Sequence, residues 1–294
     1  MTYFLEQLLN GLQLGFVYAL IALGYTMVYG IIRLINFAHG DVFMVGAYVG
    51  YFGFAIWHLP YPLCVLISMF ACAVVGVVIE RIAYRPLRYA PRIAALISAI
   101  GVSFFLEYFC SLKFVFGPNY RVVPRALPLK EWNLGGVTVT NIQVIVIVVV
   151  LGMLALIQYV IYRTRIGKAM RAVSFDHDAA RLMGINVDTT ISLTFALGSA
   201  LAAAGGVLYV TAYPQVFPFM GILPGLKAFV AAVLGGIGIV PGAVLGALIM
   251  GQADVMSAGY ISSQLRDVIA FSILILVLLV RPTGLLGKRG PEKV

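Results

Sequence analysis

Catalytic chemistry has few footholds in this chain. Its histidines, His39, His58 and His177, are scattered. Its cysteines, Cys64, Cys72 and Cys110, lie within apolar runs, with no CxxC and no histidine at ligand spacing. Neither a metal site nor a disulfide framework is predicted. Acids and bases do not gather at general acid–base spacing, so no catalytic residue is assigned. There is no GxxxxGK[ST] phosphate loop, because Gly167-Lys168 lacks the upstream glycine. Any ATP hydrolysis must come from another chain.

What remains is polar chemistry set into apolar sequence. Asn36, His39 and Asp41 open a hydrophobic run beside Gly40. Ionisable groups at membrane depth are costly and usually face a cavity or a partner. These three either line or gate a path, or cap a helix at the interface, where Arg33 is near enough in sequence to pair Asp41. Glu107 and Asp254 lie near the ends of their runs and read as packed or ion-paired structural acids, with Lys113 available to Glu107. Gly235, Gly236 and Gly238, just before Pro241-Gly242, could give a path free backbone and helix N-termini for a carboxylate. The same residues could equally make a tight turn.

Segment 163–188, RTRIGKAMRAVSFDHDAARLMGINVD, is of another kind. It has room for a short helix, a turn and a second helix start, with Gly184 placed as a C-cap. Ala179, Ala180, Leu182 and Met183 put small and apolar groups beside Asp176, Asp178 and Arg181. That surface suits docking into a partner's groove, although an ordinary solvated loop has a similar composition.

The elements that must carry these residues follow from composition. Of 294 residues, 62% are hydrophobic and 11% charged, with mean hydropathy +1.02. A soluble domain carries about a quarter charged residues, so lipid must solvate much of this surface. Runs 8–32, 35–57, 61–79, 93–116, 142–162, 189–212, 222–258 and 268–280 are the candidates to cross about 30 Å of hydrocarbon. The first basic residue is Arg33, so the opening run reads as a span rather than a signal peptide. Helix is the only open-chain structure that satisfies its own backbone in lipid. The expected fold is an all-α polytopic integral membrane protein of about eight to ten helices, some broken or re-entrant.

The net charge of +9 forms no nucleic-acid patch. It falls in clusters between spans: Arg81, Arg85, Arg88 and Arg92; then Arg163, Arg165, Lys168 and Arg171; then Arg281, Lys288, Arg289 and Lys293. The positive-inside rule puts all three in the cytoplasm. The basic, proline- and glycine-rich segment 117–141 then falls outside, which requires run 222–258 to be split at its glycine–proline break. A weak internal echo links the glycine-containing breaks near 37–46 and 235–246.

Three stretches resemble the branched-chain amino-acid (LIV-type) permeases of bacterial ABC importers. They are GLQLGFVYALIALGYTMVYGIIRLINFAHGDVFMVGAY over 11–48, AVLGGIGIVPGAVLGALIMG over 232–251 and LVRPTGLLG over 279–287. Asp178-Ala179-Ala180-x-x-x-Gly184 is similar to the EAA-type coupling loop, with aspartate in place of glutamate. The likeness spans nearly the whole chain as one transmembrane permease domain, 1–294, with 163–188 as its cytoplasmic coupling loop. It implies a bacterial inner-membrane subunit that pairs with a second homologous permease. It further implies two ATPase subunits docked on the cytoplasmic loops of the pair, an extracytoplasmic substrate-binding protein, and no cofactor on this chain. Within the family, urea or short amides are alternative solutes. Outside it, an ion-coupled secondary transporter would call for intramembrane carboxylates paired with cations.

Overall fold

The computed structural model describes residues 1–88, 90–125 and 127–287, with backbone alone for Arg92 and Leu134. The tail charges Lys288, Arg289 and Lys293 lie outside the described residues. Eleven α-helices occur among the described residues: α1 (Thr2–Ile32), α2 (His39–Ala55), α3 (Tyr61–Ile79), α4 (Arg92–Ser111), α5 (Asn141–Arg163), α6 (Arg165–Phe175), α7 (His177–Leu182), α8 (Val187–Ala212), α9 (Ile222–Gly235), α10 (Val240–Tyr260) and α11 (Arg266–Val280). Seven segments, carrying α1, α3, α4, α5, α8, α10 and α11, are long and apolar enough to cross a membrane. Run 222–258 is split, as the charge pattern requires.

α2 and α9 are different. Their 17 and 14 residues give about 26 and 21 Å at 1.5 Å per residue, short of a full crossing. A non-helical stretch leads into each. α1 ends where Arg33 turns left-handed, with φ 54°, and residues 33–38 fold back along it. His39 then stacks edge-on against Tyr25, ring centroids 4.7 Å apart. Tyr25 lies seven residues before the end of α1, about 10 Å back along its axis. After α8, residues 213–221, which include Pro214 and Pro218, lead in from the other end to α9. The starts of α2 and α9 meet in the interior. A Cβ on Gly40 would lie 2.6 Å from the Gly221 carbonyl oxygen, so this junction requires bare backbone.

α1, α2, α8, α9 and α10 form the buried centre, and α3 packs onto α8 and α2. α4, α5 and α11 lie outside and present Phe105, Val148 and Leu276 outward. Hydrocarbon gives no hydrophobic drive between helices, so small residues must let backbones approach. The seam of α1 with α10 shows this. A Cβ on Gly15 would reach the Leu248 Cα at 2.9 Å, and one on Gly251 the Gly15 nitrogen at 2.3 Å.

Short strand pairs occupy one end. β1 (Arg121–Val122) pairs antiparallel with β4 (Gln215–Val216), and β2 (Glu131–Leu134) with β3 (Val137–Thr140). Glu6 Oε1 accepts from the Thr138 amide at 3.0 Å, tying this hairpin to α1. Thr140 and Gln143 form a capping box that starts α5. At the opposite, basic end, α3 runs into a π-helical turn, Glu80–Tyr84. Arg88 bridges Glu80 at 2.9 Å and Asp188 at 2.5 Å, clamping that turn to the start of α8.

Candidate functional site

Three polar regions emerge. The first is the basic-end unit of α6 and α7. Thr164 accepts from the Gly167 amide at 3.1 Å and caps α6. Asp176 accepts from the Asp178 and Ala179 amides at 2.9 and 3.0 Å and caps α7. Gly184, at φ +80°, ends α7 in the left-handed conformation that its sequence position implies. Ala180 is buried and holds the Ile185 amide at 3.0 Å. Asp178, Ala179 and Gly184 face out. Leu182 and Met183 are 89% and 82% exposed, and beside them a groove of about 620 Å³ runs between α6 and α7, floored by Ala169, Ala172 and Ala180.

The second region lies where α2 and α9 begin. A cavity of about 210 Å³ is lined by Tyr25 of α1, Asp41 of α2, Ser103 and Glu107 of α4, and Gly221, Ile222 and Gly225 at the start of α9. Ser103 Oγ donates to Asp41 Oδ2 at 2.5 Å, and the Asp41 and Glu107 carboxyls lie side by side on the same cavity wall. The remaining wall is apolar: Phe37, Ile100, Phe104 and Leu226. Asn36 and His39 support this place without lining it. Asn36 Oδ1 accepts from the Tyr84 hydroxyl at 3.0 Å. His39 is seated against α1 so closely that a Cβ on Gly24 would fall 2.1 Å from its Nε2, an atom with no partner among the described residues.

The third region is a closed ion cluster. Asp254 of α10 receives Lys227 Nζ at 2.7 Å and Arg266 at 2.5–2.6 Å, and the Tyr18 hydroxyl at 2.8 Å. Lys227 also meets Asp267 at 2.7 Å. Two positive and two negative charges balance, so the buried Lys227 and Asp254 are mutually compensated.

Several expectations change. No ion pair joins Asp41 to Arg33 among the described residues; the fold-back of 33–38 carries Asp41 inward to Ser103 instead. Glu107 pairs with Asp41 rather than Lys113, because α4 packs beside the start of α2. The one-turn spacing of Ser103 and Glu107 was the available signal for a shared polar face. Gly235, Gly236 and Gly238 make the turn between α9 and α10. Gly236 and Gly238 have φ +106° and +92°, and Leu285 and Leu286 donate to the Leu234 and Gly235 carbonyls at 2.8 and 3.1 Å. Segment 281–287 thus covers the Leu234 and Gly235 carbonyls, while Gly238 lines a separate cavity of about 510 Å³ with Gly30 and Arg33. The start of α2 meets the start of α9 rather than the 235–246 break.

Half-helices meeting inside a bundle of seven membrane-spanning segments define a multi-pass membrane permease. Comparison supplies the family. The model described as "Branched-chain amino acid transport system / permease component" matches residues 7–278, and the chain belongs to that family. The LivH permease protein of the high-affinity branched-chain amino acid transport system of Escherichia coli K12 is 46% identical over 306 residues, covering 99% of this chain and 98% of its own. BraD of Pseudomonas aeruginosa is 44% identical over 304 residues, with the same coverage. Among solved structures, PsaBC from Streptococcus pneumoniae in complex with Fab shares the fold, at TM-score 0.51 and 14% identity, covering 96% of this chain and 93% of that one.

Proposed function

We propose that this chain is the membrane subunit of an ATP-driven importer of branched-chain amino acids in the bacterial cytoplasmic membrane. It forms the translocation path with a second homologous permease. Two ATPase subunits dock on the cytoplasmic loops of the permease pair, here on α6 and α7, an extracytoplasmic binding protein hands over the solute, and this chain holds no cofactor. The basic end faces the cytoplasm, in line with the positive-inside rule, and segment 117–141 lies outside. The observation that carries the coupling role is the bare Leu182–Met183 tip beside the α6–α7 groove. Large apolar side chains held out on a rigid, doubly capped unit call for a partner surface. Asp178, Ala179, Ala180 and Gly184 shape that tip. The solute class rests on the full-length relatives.

The test is uptake of labelled leucine into proteoliposomes holding this chain, its companion permease, the ATPases and the binding protein. Uptake should require ATP on the ATPase side and survive ionophores. The closed cluster of Lys227, Asp254 and Arg266 is the feature that favours the competing ion-coupled reading, and uptake that collapses with the ion gradient would establish it. Competition by isoleucine but not urea fixes the solute class.

A further inference from the structure

Two buried acids face a cavity with no cation beside them. Asp41 and Glu107 are 2% and 5% exposed, and among the described residues neither has a lysine or arginine partner. Two carboxyl groups side by side disfavour each other's charge, and a cation placed between them relieves that repulsion. A charge at this depth must be matched by something. The protein matches the other buried carboxylates itself: Asp254 with Lys227 and Arg266, Glu80 with Arg88.

We infer that the cavity between α2, α4 and α9 binds the α-ammonium of an apolar amino acid on the Asp41–Glu107 pair, with its side chain against Phe37, Ile100, Phe104 and Leu226. The volume of about 210 Å³ is small beside the roughly 300–1,000 Å³ of drug-sized sites, which suits a solute of amino-acid size. The start of α9 at Gly221 and Ile222 lines the same cavity; its Ile222 and Gly225 amides are already bonded, so it favours the solute's carboxylate through the positive end of the helix dipole alone. Two acids, a helix start packed against Asp41 and an apolar remainder of the wall together match a zwitterion with an aliphatic side chain. A hard divalent cation fits worse, since calcium takes about six to eight oxygen ligands and the polar side chains lining this cavity are Tyr25, Asp41, Ser103 and Glu107. The choice of solute rests on the import reading above; the cation-binding role of the acid pair does not.

Two measurements test it. In lipid nanodiscs, the unaltered chain is treated with dicyclohexylcarbodiimide, and modification of Asp41 and Glu107 is read by peptide mass spectrometry. Leucine at millimolar concentration should cut labelling several-fold, whereas 4-methylpentanoate, which lacks the ammonium, should not. Equal labelling with and without leucine, or equal protection by the two compounds, overturns the inference. In the complete transporter, Asp41→Asn and Glu107→Gln should each lower leucine uptake at least tenfold with the protein fully assembled. Full uptake by both variants, with ATP-dependent uptake by the unaltered protein, sinks the ammonium site and leaves the importer standing. ATP-independent uptake together with protection by leucine alone does the reverse.

Discussion

Asp254 and Asp41 are both buried carboxylates, 1% and 2% exposed, yet their surroundings differ completely. Asp254 is enclosed: two cations and a tyrosine hydroxyl occupy its oxygens, and the cluster joins α1, α9, α10 and α11. Asp41 has a serine hydroxyl and a second acid, and faces open space. A buried charge compensated by fixed partners holds helices together, whereas one left with only another acid is available to something that comes and goes. Burial alone does not separate structural from functional acids in this molecule; the inventory of partners does.

The contrast can be broken by mutation. Asp254→Ala leaves Arg266 without its carboxylate and Lys227 with Asp267 alone and should cost about 3–5 kcal/mol, seen as a large drop in thermal stability and in recovery from membranes; unchanged melting would end the structural assignment. Gly40→Ala pushes a Cβ against the Gly221 carbonyl. Overpacking of that kind costs about 1–3 kcal/mol, and here it should also part the two half-helices, so leucine uptake should fall further than stability. Thr140→Ala, at the hairpin end, removes a capping-box partner of α5 and gives a baseline of about 1 kcal/mol with uptake intact. Glu107→Gln keeps shape and hydrogen-bonding capacity, so its unfolding temperature should move by less than any of these. A large loss of stability there would make the acid pair a second structural cluster.

Much of the frame was legible from sequence. Apolar runs marked the spans because lipid leaves the chain no other way to satisfy its backbone, and Gly184 marked the end of α7 through its left-handed turn. The glycine–proline break at 235–242 announced a turn. The site was harder to see. Asp41 stood out, but Glu107 is 66 positions away and reaches it only through the packing of α4, which no local pattern encodes. Lys227 is a lone cation in an apolar run, and nothing nearby in sequence names Asp254 as its partner. The start of α9 was hidden for another reason: residues 213–221 fall between two apolar runs with no motif of their own, and only the fold brings Gly221 against Gly40.

The seam between α1 and α10 has a consequence for biogenesis. The Tyr18–Asp254 hydrogen bond joins positions 236 apart, and the backbone contact of Gly15 with Gly251 lies just beneath it. α1 must therefore wait in the bilayer, its glycine face uncovered, until α10 has been made. Synthesis that stops short of α10 leaves that face open to membrane quality-control proteases.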